Sequence, residues 1–118
     1  MATDEELKKA FQQLHAKRAE TSQNVMMTQA QIAQLKRSIK ISELTEEELK
    51  GCPEETRMYR SIGRMFLQQS RDEIVKHLHE DRDESGKKVE KLEKTIERFN
   101  ESLKESEERL REMVSGRR

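Results

Sequence analysis

The chain has 118 residues, of which 31% are hydrophobic, 3% aromatic and 41% charged. So small an apolar fraction argues against a compact globule and leaves either disorder or long, exposed helices. Basic and acidic residues both number 24, so the net charge is zero, and the interleaved signs argue against a nucleic-acid interface. No segment approaches the ~20 apolar residues of a membrane span.

The acidic N-terminal segment lacks the apolar core of a signal peptide. The single cysteine, Cys52, rules out an intrachain disulfide. Both features predict a reducing, cytoplasmic environment.

The first predicted element is a helix, capped by Thr3 or Asp4 and extending over residues 4–40. Steps of three and four residues, without a slip, define a seam typical of coiled coils. Because disorder requires no period, this pattern favours helices. The predicted seam is Leu7, Phe11, Leu14, Arg18, Thr21, Val25, Thr28, Ile32, Leu35 and Ile39.

Residues 41–69 are predicted to join two coiled-coil arms. The pattern breaks at Ile41, and Thr45 and Glu48 stand at capping-box spacing for a second, short helix. Gly51 and Pro53 should end that helix, since glycine suits a C-terminal cap and proline cannot continue a helix.

Two strand-like segments follow, 56–62 and 65–69, separated by Gly63 and Arg64. A glycine at the first turn position suits a type II′ hairpin, which would pair Ile62 with Met65 and Tyr59 with Gln68. One face would then carry Met58, Ile62, Met65 and Leu67, and the other Tyr59 and Phe66. A lone hairpin is marginal in water, so these two apolar faces predict strands supplied by other chains.

Ser70 can cap the last helix, predicted over residues 70–114. Its seam is Val75, Leu78, Arg82, Ser85, Val89, Leu92, Ile96, Phe99, Leu103, Ser106, Leu110 and Met113. The expected fold is therefore mainly α: one domain in which a long antiparallel two-helix coiled coil is joined by a short helix and one β-hairpin that pairs with strands of other chains.

No constellation of catalytic, metal-binding or cofactor-binding residues emerges. His77 and His79 are two residues apart and point to different sides of a helix, and no further ligand completes a metal set. Cys52 has no evident base beside it, and the scattered glycines form no phosphate loop. We therefore expect no enzyme, no cofactor and no metal. Gly86 lies within the second seam, either as a flexible point or as a tolerated surface glycine.

The central segment resembles the β-class subunits of the prefoldin family. The elements that carry the resemblance are Leu44 to Leu49 and Glu55 to Ser70, with Met-Tyr, Ile-Gly and Met-Phe pairs at characteristic spacing. The resemblance implies a heterohexamer of α-class and β-class subunits whose hairpins form a β-barrel platform bearing six coiled coils. It also implies a co-chaperone that holds unfolded actin and tubulin at the tips of the coils and passes them to the cytosolic chaperonin without ATP.

Both chain ends should meet at the free tip of such a coil. The predicted client-binding residues are Leu7, Phe11, Leu14, Leu110, Met113 and Val114. The predicted assembly residues are Met58, Tyr59, Ile62, Gly63, Met65, Phe66 and Leu67. An alternative is a coiled-coil scaffold that brings partners together without binding unfolded protein, in which the tip leucines simply close the coil.

Overall fold

The computed structural model describes residues 3–116. Helix α1 (Asp4–Lys50) is followed by strands β1 (Met58–Ile62) and β2 (Met65–Gln69) and by helix α2 (Arg71–Ser115). Two compact units divide the chain. The terminal unit comprises Met1–Ile32 and Lys91–Arg118, and the hairpin unit comprises Ala33–Glu90. The ends of the predicted domain, residues 1–2 and 117–118, lie outside the described residues.

Helix α1 begins with a reciprocal capping box. The Thr3 hydroxyl accepts a hydrogen bond from the Glu6 amide at 3.2 Å, and the Glu6 carboxylate accepts one from the Thr3 amide at 3.2 Å. Each group satisfies an amide that the helix leaves without an internal partner. Of the two predicted caps, Thr3 is therefore the one used.

The predicted break at Ile41 is wrong, because α1 continues without interruption to Lys50. Thr45 caps no second helix. Its hydroxyl donates back to the carbonyl of Ile41 at 2.8 Å, as threonines inside helices do. No glycine or proline precedes Gly51, so nothing in this stretch breaks a helix. The change at residue 41 is only that the seam becomes polar. The predicted stop at Gly51 is confirmed.

The predicted seam of α1 is partly wrong. Phe11 and Arg18 are exposed, and Ala10 and Lys17 turn inward in their place. Asn24 is half-buried, as is its neighbour Val25. The step from Asn24 to Thr28 and the step from Thr28 to Ile32 are both four residues long. Two successive fours shift the phase of a heptad, a local irregularity known as a stutter. By contrast, every predicted seam position of α2 is buried or half-buried.

The hairpin has the predicted register, with Ile62 paired to Met65 and Tyr59 to Gln68. Gly63 has a φ of 59°, and no described non-glycine residue has a positive φ. A type I′ turn would require a positive φ at Arg64 as well, so the geometry matches type II′. The Ser70 hydroxyl then caps α2 by accepting the Glu73 amide at 3.3 Å.

Candidate functional site

The hairpin exposes large apolar side chains on both faces. Ile62, Met65 and Leu67 share one face, and Tyr59 and Phe66 the other, as predicted. Met65 and Phe66 are 71% and 73% exposed. Two strands cannot bury these groups, and contiguous apolar surface on a soluble protein marks an interaction site. We call these five residues the hairpin surface.

The other two predicted assembly residues have different positions. Met58 is buried inside the hairpin unit, so it supports the strands rather than offering a contact. A Cβ at Gly63 would meet open space, so glycine is not needed there for close packing. It is needed because the backbone has a positive φ at this position. Both residues shape the hairpin surface without forming part of it.

Arg71 holds together the segments that flank the hairpin. Its Nη2 atom donates to the carbonyl of Cys52 at 2.7 Å and to that of Pro53 at 2.9 Å. The acceptors follow the end of α1, whereas Arg71 begins α2. The Cys52 thiol donates to the Glu48 carbonyl at 3.3 Å, which gives this side chain a structural contact.

A charged cluster, which we call the Glu46 clamp, links the two helices within the hairpin unit. Glu46 Oε1 lies 2.7 Å from Nε2 of His79, and Oε2 lies 2.8 Å from Nη2 of Arg82. The same Arg82 nitrogen lies 3.0 Å from His79 Nδ1. Arginine only donates, so Nδ1 is the acceptor in this contact, and Nε2 is left as the donor to Glu46.

The clamp favours the charged form of its carboxylate. The hydrogen bond from Arg82 lowers the pKa of Glu46 below its ordinary value, the bond from His79 acts in the same direction, and burial opposes both. Lys50 adds a longer contact of 3.7 Å to the same carboxylate. Sequence reasoning missed the clamp because α1 was predicted to end before Glu46.

The six predicted tip residues fall into two groups in the terminal unit. Leu7 and Leu110 are only 7% and 6% exposed, so they close the seam between the helices. Phe11 and Val114 are 53% and 44% exposed and lie on its flank. Leu14 and Met113 are half-buried.

The flank of the seam forms a shallow groove of about 680 Å³, which we call the Phe11 groove. Its apolar floor is formed by Phe11, Leu14, Leu110 and Val114. Its rim is polar and consists of Gln12, His15, Arg18, Glu107 and Arg111. Arg18 Nε and Glu107 Oε1 lie 3.1 Å apart and form an ion pair between the two helices.

A smaller groove of about 230 Å³, the Met113 groove, is also lined by Leu14 and Leu110. Its remaining residues are Ala10, Gln13, Lys17, Ser106, Arg109 and Met113. Lys17 Nζ donates to the Ser106 hydroxyl at 2.6 Å and to the Ser102 carbonyl at 3.2 Å. Lys17 therefore keeps its ammonium at the edge of the seam while its stem packs inward.

Within residues 3–116 no three His, Cys, Asp or Glu side chains are grouped so as to hold a metal ion. His77 instead lies 3.8 Å from Glu80, and His79 belongs to the Glu46 clamp. Neither described helix is long and apolar enough to cross a membrane.

Comparison with known proteins agrees with this architecture. A family model described as prefoldin subunit matches residues 5–117. The chain belongs to the prefoldin family. It is 42% identical to prefoldin subunit 1 of Danio rerio and 41% identical to that of Homo sapiens, each over 98% of this chain and 94% of the relative.

A solved structure shows the same fold. The crystal structure of the prefoldin beta subunit from Thermococcus strain KS-1 matches with a TM-score of 0.70 at 18% identity. The match covers 91% of this chain and 90% of the other. The chain is thus a prefoldin chaperone subunit with the fold of a β-class subunit, and membership of this family implies assembly with other prefoldin subunits.

Proposed function

We propose that the hairpin surface builds this subunit into a heterohexamer of α-class and β-class subunits. In this arrangement, hairpins from several chains close an intermolecular β-barrel, which covers both apolar faces and both free strand edges. The exposure of Phe66 and Met65 supports this proposal, because isolated hairpins rarely carry such groups on opposite faces.

The assembled complex acts as an ATP-independent co-chaperone in the cytoplasm. It holds unfolded chains of the actin and tubulin class and delivers them to the cytosolic chaperonin. It uses no nucleotide, metal, nucleic acid or membrane. The observation that carries client binding is the exposure of Phe11 and Val114 beside a seam that Leu7 and Leu110 already close. The Phe11 groove can therefore receive a client without opening the coil.

Each such contact is weak. Complete burial of a Phe or Leu side chain contributes about 1.5–3 kcal/mol, and Phe11 is already about half covered, so its further burial adds roughly 1 kcal/mol. Ordering of the client offsets part of this gain. Several arms on one platform raise the effective concentration of grooves, so a client is held firmly while each arm releases quickly.

The alternative function is a scaffold that binds no unfolded protein. The burial of Leu7 and Leu110 favours it, since a closed seam needs no client to cover it. The exposed flank residues separate the two functions, because a scaffold has no use for Phe11 and Val114 outside the seam.

The test is suppression of aggregation of chemically unfolded actin by the reassembled complex. Removal of residues 1–12 and 108–118 should leave the hairpin untouched and reduce holding. The double variant Phe11→Ser, Val114→Ser should reduce it with less disturbance of the coil. The exposed pair Met26 and Met27, changed to Ser, is a matched control.

One altered arm among six gives a partial loss, so equivalent changes should be made in the partner subunits singly and together. Full suppression by complexes in which every tip is altered would establish the scaffold function instead. Equal losses from the Met26 and Met27 control would place client binding along the coil and not at its end.

A further inference from the structure

The grooves of the terminal unit carry a charge bias that the whole chain lacks. Arg18 and Arg111 line the Phe11 groove, and Lys17 and Arg109 line the Met113 groove. Glu107 is the only carboxylate that lines either groove within the described residues. The full sequence, by contrast, has equal numbers of basic and acidic residues. The excess of basic residues around the apolar floors therefore results from where the charged residues lie on the helices. It does not reflect the overall composition of the chain.

The bias remains after the local contacts are considered. Glu107 is paired with Arg18, and Arg109 lies 3.9 Å from Glu105, which lines neither groove. Arg111 has no ion-pair partner among the described residues. Lys17 donates only to neutral oxygens, so its charge is not compensated there. Glu108 and Glu112 belong to the same stretch of α2 but line neither groove.

We propose that these grooves select client segments in which apolar side chains are flanked by acidic residues. The inference rests on the proposed client-holding function and adds the chemical class of the segment. The apolar side chain packs on Phe11, Leu14 and Val114, and the neighbouring carboxylate lies against Arg111. Segments with basic flanks meet like charge at the same place, which lowers their affinity.

The preference is modest because the rim is open to solvent. An exposed charge pair contributes about 0.2–1 kcal/mol, which corresponds to roughly a 1.4- to five-fold change in affinity. It should weaken with salt, since the screening length falls from about 10 Å at 0.1 M to about 3 Å at 1 M. Such a filter biases the choice among apolar segments without preventing release.

The experiment uses the full chain assembled with its partner subunits and three synthetic peptides. All three share one apolar core containing a photoreactive benzophenone side chain, and they differ only in flanking pairs of Asp, Asn or Lys. After illumination, mass spectrometry measures the yield of adduct on this subunit. Adducts on other subunits are identified separately and are not counted. We expect the adduct yield of the acidic peptide to exceed that of the basic one by about 1.4- to five-fold, with adducts near Phe11 and Val114.

Three variants test the assignment. Arg111→Gln should bring the three yields close together, and Arg111→Glu should favour the basic peptide. Arg98→Glu makes the same charge change at an exposed site of α2 that lines neither groove, and it should leave the preference intact. Circular dichroism checks that each variant keeps its helices.

The outcomes separate this inference from the function on which it rests. Equal yields from the three peptides at the terminal grooves would overturn the charge selection and leave client holding in place. A preference that survives Arg111→Glu would also overturn it. Absence of adducts from all three peptides on the terminal unit would remove the client-holding function itself.

Discussion

The hairpin unit and the terminal unit both expose apolar side chains, but they hold them differently. In the hairpin unit, Phe66 and Met65 project from paired strands whose main-chain hydrogen bonds and type II′ turn fix their directions. In the terminal unit, Phe11 and Val114 stand on helix flanks beside a closed seam. A fixed array of large groups suits a lasting interface, whereas a few contacts on a shallow flank suit a transient one.

The ion pairs between the helices are also more buried in the hairpin unit than in the terminal unit. The side chains of Glu46 and Arg82 in the clamp are 11% and 15% exposed, whereas Arg18 and Glu107 in the terminal unit are 58% and 32% exposed. Removing one member of a buried pair leaves an uncompensated charge, while exposed pairs contribute little. The hairpin unit therefore depends on its ionic contacts more than the terminal unit does.

The largest effect is expected from charges placed on the hairpin surface. The double change Ile62→Asp, Phe66→Asp should abolish co-assembly with partner subunits, because two carboxylates would have to be buried at the interface. Gel filtration with mass detection measures assembly, and circular dichroism should show that the helices remain. The control Gln23→Asp, Gln31→Asp adds the same charge at exposed positions of α1. Assembly that withstands both hairpin changes would contradict the platform arrangement.

The next prediction separates seam from flank in the terminal unit. Leu110→Ala should lower the free energy of unfolding by about 2–4 kcal/mol, because it opens a cavity at a buried position. Phe11→Ala should lower it by roughly 1 kcal/mol or less, since half of the side chain is already exposed. Thermal melts of both variants test the difference. A larger loss from Phe11→Ala would place Phe11 in the seam, as the sequence pattern predicts.

The Glu46 clamp should make stability depend on pH. Because the folded-state pKa of Glu46 is lowered, its contribution is complete above the ordinary value of 4.5 and is lost as the pH falls through the lowered one. The melting temperature of Glu46→Gln should lie below that of the parent chain at neutral pH, and the gap should close in acid. The exposed Glu43→Gln is the control. A gap that is independent of pH would show that the charge of Glu46 contributes nothing.

Small effects of opposite sign are expected from two glycines. A Cβ at either Gly63 or Gly86 meets no atom within 4 Å, so only the backbone distinguishes the two positions. Gly63→Ala should destabilise the hairpin by about 1–2 kcal/mol, because it forces an L side chain into the left-handed region. Gly86→Ala should stabilise α2 by about 1 kcal/mol. Amide hydrogen exchange, faster in the strands and slower in α2, would show both effects.

Sequence predicted well those features in which a residue type has only one plausible structural role at its position. Gly63 between two apolar strands fixed the turn and hence the register of all the pairs. The seam of α2 was predictable because an unbroken run of apolar steps, which includes Val89, Leu92 and Ile96, sets the phase for the polar positions on either side. Ser70 was predictable as a cap, because a side-chain oxygen before an acidic first turn satisfies free amides.

Prediction failed where polar residues occupy the seam. Along α1, Lys17 and Arg18 are equally poor seam residues, so the pattern could not decide which turns inward, and the stutter at Thr28 was hidden. The same ambiguity at Ser42 and Glu46 was interpreted as the end of the helix. The clamp itself depends on residues 33 and 36 positions apart, which no local pattern reveals. The heptad phase of α1 decides which tip residues lie in the seam and which on its flank. Because that phase was predicted wrongly, this division was not predicted either.

The hydrogen bonds of Arg71 also have a consequence for the order of folding. Arg71 meets Cys52 across 19 residues of chain, whereas Arg18 meets Glu107 across 89. Closing the longer loop directly costs about 1.4 kcal/mol more in chain entropy, by the logarithmic dependence on length. We therefore expect the helices to zip together from the hairpin outward, each new contact shortening the next closure. The termini join last on this route, and newly made chains would pass through a stage in which the hairpin is formed while the grooves are still absent.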